Sequence, residues 1–422
     1  MRLPRRLRAL RRRDFRLLFT GQVVSLIGDG MVAVALAFAV LDLTGSVADL
    51  GFVLAARNVP LVAFLLVGGV YADRLPRRTV MVAADLVRCA SQGTLAALLI
   101  SGHAHLWQLL LLQAVHGTGS AFFNPASIAV IPETVEPKLL PEANALRGIA
   151  FALGDLVGPA LAGVLVTTVG SGWTIAADAA TFAVSAVALA GVRPVRRELT
   201  ESSSMVGDLL DGWREFRRRR WLVSIVVAAS VANAFVLSPL FVLGAAVAKE
   251  SLGGAGAWAA IEASFGGGSI AGGVLALHLR PTRPLVVAMG AIAIFGLPAA
   301  LLAVPAPTVP VCVAAVLAGA ALTVLNALWA TTMQEQIAAA VLSRVTSFDY
   351  FGVLALRPVG LAVTGVVAAH LLGISATLWL VAGVAVASAA AALAVPDVRR
   401  MRAGGPVRGT PVPAAVEQAT AP

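Results

Sequence analysis

Charged residues are scarce in this chain. Only 13% of its 422 residues are Asp, Glu, Lys or Arg, whereas 59% are hydrophobic. A soluble protein of this size needs far more charge to cover its surface, which excludes a soluble enzyme or binding domain. Apolar runs of about 20 residues recur, each long enough to cross about 30 Å of hydrocarbon as a helix. Strand-type alternation is absent, which excludes an outer-membrane barrel. The sequence therefore predicts an all-α integral membrane protein.

Several chemical motifs are also missing. The only cysteines, Cys89 and Cys312, fall in apolar runs in opposite halves of the chain, so no disulfide framework is predicted. No phosphate-cradling G-x-x-x-x-G-K-[ST] segment is present, so ATP is not expected to drive the protein. His103 and His105 form a pair without further ligands, which predicts no metal site. No nucleophile–base pairing stands out. We therefore expect neither an enzyme nor a bound cofactor.

The formal net charge is +10, and its distribution is informative. The arginines are confined to a few short loops and form no basic stripe with exposed aromatics, which excludes nucleic-acid binding. Every second loop is basic, which by the positive-inside rule predicts that both termini are cytoplasmic. The Ala- and Arg-rich composition, with Lys138 and Lys249 as the only lysines, suggests a GC-rich bacterial genome. We expect a multi-pass protein of the bacterial plasma (inner) membrane.

About twelve spans are predicted, in two sets of six. The first half, 1–192, follows a short basic cytoplasmic N-terminus; a basic cytoplasmic connector covers 193–221, the second half 222–400, and a disordered cytoplasmic tail 401–422. The predicted spans are 15–41, 50–71, 79–101, 105–128, 146–169, 172–192, 222–247, 257–279, 284–304, 310–332, 346–370 and 373–395.

The two halves contain matching segments. Gly69, at the end of the second span, matches Gly273 at the end of the eighth, an offset of 204 residues. Asp155 in span five matches Arg357 in span eleven, an offset of 202. Two nearly equal offsets indicate a six-plus-six duplication, and an even number of spans per half gives the halves parallel orientation.

These segments carry a resemblance to the major facilitator superfamily. The end of span two resembles that family's motif between helices two and three, with Pro76 where a glycine is usual. Span five resembles the motif associated with its drug–proton antiporters. The runs GQVVSLIGDG, AFFNPA, NALRG and VGPALAGVL look most like the branch with macrolide-efflux and enterobactin-export proteins. The loop-motif residues are Gly69, Asp73, Arg74, Arg77 and Arg78, and the span-five residues are Gly154, Gly158, Pro159 and Gly163.

Each motif has a functional and a plainer physical interpretation. Asp73 among three arginines suits a charge network that holds one conformation and releases in another, but a solvated basic loop has the same composition. The glycines of span five allow close helix approach, and Pro159 breaks the backbone ladder locally. Packing alone explains the span-five residues, and it is compatible with a role in a rocking interface.

Ionisable groups at membrane depth are costly and are therefore functional candidates. Asp29 in span one and Arg57 in span two reach a similar depth, so a pair is predicted, either structural or opened by protonation. Asp155 and Arg357 lie near mid-depth, and in the family's fold their helices line the central cavity; we expect them to serve in proton coupling or substrate contact.

Five other polar residues within the spans have competing interpretations. His116 can titrate, although a lone histidine in a helix is usually a packing residue. Glu262 is shallower and can be merely interfacial. Asp85 and Arg88 share one face of span three, so local pairing is the default, and Asp178 is a weaker candidate.

The resemblance implies a secondary active transporter, and we expect a proton-coupled exporter of amphipathic small molecules that works by alternating access. Its cargo is expected to be a drug, a macrolide-like metabolite or a siderophore, with protons and the lipid bilayer as its other partners and a monomeric state. One alternative is a nutrient importer or uniporter of the same family. An alternative of another class is a non-transporting membrane receptor or scaffold.

Overall fold

The computed structural model describes residues 8–193, 213–304, 306–337 and 339–402, and twelve long helices account for most of them. The first six are α1 (Arg13–Thr44), α2 (Val47–Arg74), α3 (Arg77–Ile100), α4 (Leu106–Ala129), α5 (Leu140–Thr168) and α6 (Ser171–Ala190). The second six are α7 (Trp221–Leu252), α8 (Ala255–His278), α9 (Pro284–Ala303), α10 (Thr308–Gln336), α11 (Phe348–His370) and α12 (Ile374–Ala394). The described residues contain no strand. The predicted all-α fold is confirmed.

Eleven of these helices are long and apolar enough to cross a membrane. The exception, α4, has 24 residues, about 36 Å of helix, but Gln108, Gln113 and His116 lower its hydropathy. Gln113 and His116 are fully buried, so the polar side chains of α4 face the protein rather than lipid. All twelve predicted spans correspond to a helix.

A clear boundary difference is at α5, which begins at Leu140, before the predicted 146. Pro141 suits the first turn of a helix, and Glu142 places a negative charge at the positive end of the helix dipole. Glu142 also accepts a hydrogen bond from the backbone N–H of Ala9, at 2.8 Å. These polar signals extend the helix beyond its apolar run.

Not every helix is regular. Two π-helical segments, Asn233–Leu237 and Ala248–Leu252, interrupt α7. α9 is interrupted at Phe295, and α11 at Leu356. In the predicted connector, residues 213–218 are helical and 194–212 lie outside the described part, as do tail residues 403–422. The domain boundaries given above stay a prediction.

The two sets of six helices meet along two lines. α5 packs against α8, and α2 packs against α11. These contacts are close because small residues face backbone: a Cβ on Gly51 would lie 2.5 Å from the Leu361 carbonyl oxygen, and one on Gly266 2.4 Å from that of Asp155. Lys249 also forms an ion pair with Asp42, joining the sets at the end opposite Arg77 and Arg78. We call the end with Arg77 and Arg78 the arginine-rich end, and the end with Asp42 and Lys249 the opposite end.

Within the first set, Gly117 on α4 fixes the distance to α2. A Cβ there would lie 1.9 Å from the carbonyl oxygen of Arg57, so the helices cannot accommodate it without moving apart. Gly117→Ala is expected to destabilise the protein by about 1–3 kcal/mol, the usual effect of overpacking. Thermal unfolding in detergent measures this. Gly93→Ala is the matched control, because its Cβ would lie 3.9 Å from the nearest atom; equal midpoints for the two variants would contradict the packing argument.

Candidate functional site

Asp29 and Arg57 are paired in the structure. Arg57 Nη2 donates to Asp29 Oδ1 at 2.8 Å, from α2 to α1. Both side chains are partly accessible, 25% for Asp29 and 23% for Arg57. The depth argument from the sequence therefore predicted this contact, while its function is a separate question.

Arg88 connects this pair to α3. Its Nη1 lies 3.8 Å from Asp29 Oδ2, and its Nη2 donates to Asp85. The guanidinium group lies between two aromatic rings, 4.0 Å from the centroid of Phe123 and 4.4 Å from that of Phe182. The Arg88 side chain is only 3% exposed. Arg88 thus holds two carboxyl groups and makes cation–π contacts in a site away from water.

His116 completes the surroundings of Asp29. Its Nε2 lies 3.7 Å from Asp29 Oδ1, and its ring packs against Phe182 with centroids 5.6 Å apart. The residue is fully buried, and neither ring nitrogen has a hydrogen-bond partner among the described residues. The imidazole is therefore both a packing group and a neighbour of the carboxylate.

Asp178 on α6 reaches the same region from the other side. Asp178 Oδ2 accepts a hydrogen bond from Gln92 Nε2 at 3.0 Å, and Gln92 Oε1 accepts one from Gln113 Nε2 at 3.0 Å. A Cβ on Gly28 would lie 2.4 Å from Asp178 Oδ1. The absence of a side chain at Gly28 therefore allows the Asp178 carboxyl group to pack against α1. All three polar side chains are fully buried.

We call this group the Asp29 network, and its charges do not balance. It has three carboxyl groups, two guanidinium groups, one imidazole and two amides, from five helices, α1 to α4 and α6. With the acids ionised and the imidazole neutral, its charge is −1. One added proton neutralises it. Its members are Asp29, Arg57, Asp85, Arg88, Gln92, Gln113, His116 and Asp178.

The other intramembrane candidates form no hydrogen bond or ion pair with the described residues of the network. Asp155 is exposed near the middle of α5, and Arg357 is half-buried at the break in α11. No hydrogen bond or ion pair joins these two side chains to each other or to any described residue, and the same holds for Glu262. Glu262 lines a small apolar cavity of about 50 Å³ with Trp258 and Phe265. The structure thus brings Asp29, Arg57 and His116 together but not Asp155, Arg357 and Glu262.

The loop motif is described only in part. Gly69, Asp73 and Arg74 lie in 65–74, whose side chains are outside the described part. Arg77 Nη1 donates to Glu133 Oε1 at 2.9 Å and also to the carbonyl of Ala129, at the end of α4. Arg78 donates to the carbonyls of Leu189 and Ala190, where α6 ends. These arginines therefore satisfy helix C-termini within the first set.

The small residues of α5 form two different contacts. Gly154 and Gly158 pack on α1 around Asp29: a Cβ on Gly154 would lie 2.8 Å from the carbonyl oxygen of Leu26, and one on Gly158 2.7 Å from Cα of Gly30. Gly163 instead faces α8, where its Cβ would be 2.6 Å from that of Ala259. Pro159 is buried in the same stretch. Close packing is observed; a role in movement stays a prediction.

The sequence interpretation missed how far the network extends. Asp85 and Arg88 were expected to pair locally, and Asp178 was a weaker candidate. One signal was present: Asp85, Arg88 and Gln92 recur at intervals of three and four, which places them on one face of a helix. A polar face on an apolar helix must be buried against partners, so the same spacing predicts a shared network.

The fold and these buried charges define a polytopic membrane transporter. The model of the Major Facilitator Superfamily matches residues 18–355. The chain belongs to that superfamily, whose members move solutes across membranes and are not enzymes.

Relatives with curated names include efflux proteins. The chain is 25% identical over 265 residues to macrolide efflux protein A of Streptococcus pyogenes, a match covering 62% of this chain and 65% of that protein. It is 30% identical over 200 residues to the multidrug efflux pump Tap of Mycolicibacterium fortuitum, covering 44% of this chain and 48% of the pump. The chain thus matches less than two thirds of the length of these relatives.

Solved transporters share the fold at low identity. The crystal structure of the nucleoside transporter NupG aligns with a TM-score of 0.71 at 13% identity, covering 92% of this chain and 99% of that one. A bacterial homolog of the human lysosomal transporter Spinster, in an inward-facing and occupied conformation, gives a TM-score of 0.70 at 15% identity, over 92% and 98%. At these identities the likeness shows the fold alone.

Proposed function

We propose that this transporter is a proton-coupled exporter of amphipathic small molecules, such as a drug, a macrolide-like metabolite or a siderophore. The Asp29 network is its proton site. The observation that carries the proposal is the network's charge: three carboxyl groups face two guanidinium groups among buried apolar side chains. Proton flow into the cell supplies the energy, without ATP or a bound cofactor.

Because the network is buried, its charge imbalance can couple proton binding to a change of conformation. An uncompensated charge away from water costs several kcal/mol, about 3–5 kcal/mol when one partner of a buried pair is missing. A conformation that closes the network therefore favours its protonated form, and one that opens its accessible edge at Asp29 and Arg57 favours release. Two conformations with different proton affinity are what coupled transport requires.

Export is favoured over import by the relatives, since two of them are named as efflux proteins. Both termini lie on the cytoplasmic side of a bacterial plasma membrane in this proposal, and the protein works as a monomer. Cargo binds between the two sets of helices, where Asp155 is exposed at mid-depth and Arg357 makes no ion pair with any residue that the structure describes. The two sets rock about their α5–α8 and α2–α11 contacts.

The test uses respiring inside-out vesicles with a fluorescent lipophilic cation as cargo and a pH dye. Wild type is expected to accumulate the cation, and a protonophore should abolish this. Asp29→Asn should reduce accumulation about tenfold or more, the equivalent of at least ~1.4 kcal/mol, because without this carboxylate the network is already neutral and needs no added proton.

Asp397→Asn is the matched control, since Asp397 is an exposed acid in the short helix after α12 and should leave accumulation near wild type. Accumulation that survives the protonophore would contradict proton coupling. Cation movement out of these vesicles would indicate the importer instead. Full activity of Asp29→Asn at equal expression would show that the network is not the proton site.

A further inference from the structure

A lateral groove lies beside α7 and α11, at the arginine-rich end. Trp213, Phe216, Val226, Ser230, Phe348 and Phe351 line it together with their neighbours, and its volume is about 390 Å³. This volume is within the range of about 300–1,000 Å³ that holds small-molecule ligands. The proposed transport mechanism makes no use of it.

The groove is separate from the interface between the two sets of helices. All its described lining residues come from helix 213–218, α7 and α11, and no described side chain of α1–α6 lines it. Along α11, Leu361 and Gly365 face α2, whereas Phe348 and Ala355 lie on another side of the helix. Val227 and Leu356 on its rim are exposed. The groove therefore opens sideways, to the membrane.

Its depth corresponds to one leaflet of the bilayer. The lining residues of α7, Val223 to Ser230, begin next to the arginine-rich end and extend about 10 Å along the helix. The walls are aromatic and aliphatic: Trp213 stacks on Phe216 at 5.8 Å between centroids, and Phe348 lies 5.7 Å from Trp213. An acyl chain is the hydrocarbon that such walls meet in a membrane.

The mouth of the groove is strongly basic. Residues 213–220 contain five arginines and one acid, Glu215. Glu215 pairs closely with Arg219, with Oε1 and Nη2 2.7 Å apart, and loosely with Arg218, with Oε2 and Nη1 3.9 Å apart. Arg217 and Arg218 are exposed, and the Arg218 side chain is 69% accessible. Positive charge next to an apolar groove at the membrane surface favours a negatively charged lipid headgroup.

We propose that the lateral groove binds an anionic phospholipid. Its acyl chain lies between α7 and α11 against Phe348 and Phe351, and its phosphate is held by Arg217 and Arg218. Because Trp213 packs on both Phe216 and Phe348, the lipid would tie helix 213–218, which leads out of the predicted connector, to the second set of helices.

The test is native mass spectrometry of the purified full chain with equal amounts of phosphatidylglycerol and phosphatidylcholine. Wild type is expected to retain phosphatidylglycerol preferentially. Arg217→Gln with Arg218→Gln should lower its occupancy at least about fivefold and remove the preference. Arg280→Gln with Arg283→Gln is the matched control, because these exposed arginines follow α8, none of whose described residues lines the groove.

A second variant fills the groove instead of changing its charge. Ala355→Trp should displace the lipid, whereas Val386→Trp, on the exposed face of α12, should not. Equal retention of the two lipids by wild type would overturn the proposal, and so would a preference that survives Arg217→Gln with Arg218→Gln. Unchanged lipid retention by Ala355→Trp together with lost cation export would also overturn it, and would indicate that cargo occupies the groove. None of the lipid measurements depends on proton coupling.

Discussion

Replacing Arg88 with methionine is expected to remove most of the folded protein. The guanidinium group is 3% exposed, donates to Asp85 and lies 3.8 Å from Asp29. Its loss leaves the fully buried Asp85 without a cation, which costs about 3–5 kcal/mol. The contacts with Phe123 and Phe182 add about 2 kcal/mol when they are desolvated. Fluorescence-detected size-exclusion chromatography should show little monodisperse protein.

A second-site change tests whether charge or volume is responsible. Asp85→Asn removes the stranded carboxylate, so Arg88→Met with Asp85→Asn should recover monodisperse protein that Arg88→Met alone lacks. If the double variant is no better than the single one, the aromatic packing of Arg88 dominates rather than its charge. A single variant as stable as wild type would contradict the role of Arg88 altogether.

Much of the fold follows from the sequence for a simple physical reason. A bilayer requires apolar helices of a set length, and these are visible without knowing their neighbours. The depth of each residue in the membrane can also be inferred from the sequence, because each residue advances a helix by about 1.5 Å. Asp29 and Arg57 could therefore be paired from their positions on two consecutive spans, and the structure joins them at 2.8 Å.

The other contacts of the network could not be predicted from the sequence of any single helix. Asp178 meets Gln92 because α3 and α6 pack together and because Gly28 leaves room on α1. These facts depend on which helices are neighbours. The match of Asp155 with Arg357 shows the limit of repeats: equivalent residues occupy equivalent places in their own halves. α5 packs on α8 and α11 on α2, so the two residues lie on different interfaces.

The same geometry distinguishes the three acids of the network. Asp29 faces Arg57 and Arg88, and Asp85 accepts from Arg88. Among the described residues, the Asp178 carboxyl group accepts hydrogen bonds only from neutral donors, Gln92 at 3.0 Å and the hydroxyl of Thr181 at 3.5 Å. A cation stabilises a carboxylate and disfavours its protonation, and a neutral amide does so less. We therefore expect the neutralising proton to be held on Asp178.

Asp178→Asn is thus expected to impair proton-driven accumulation of cargo while leaving its downhill exchange intact. Asparagine has the shape of a protonated aspartate and can still accept from Gln92, so the fold and downhill exchange of cargo should persist. Because the amide has no proton to exchange, proton-driven accumulation should fall about tenfold or more, the equivalent of at least ~1.4 kcal/mol. The measurements are cation accumulation in inside-out vesicles and cargo counterflow without a gradient, with Asp397→Asn as the exposed-acid control.

The combination of results identifies the proton carrier. Lost accumulation with retained counterflow assigns the proton to Asp178, because a merely structural defect would reduce both. Loss of both activities with intact protein would instead make Asp178 a structural partner of Gln92. Full accumulation would show that Asp178 carries no transported proton. The next candidate is then His116, the imidazole of the network, whose Nε2 lies 3.7 Å from Asp29 Oδ1. In that case the imidazole would supply the missing positive charge, and His116→Gln should abolish accumulation while Asp178→Asn does not.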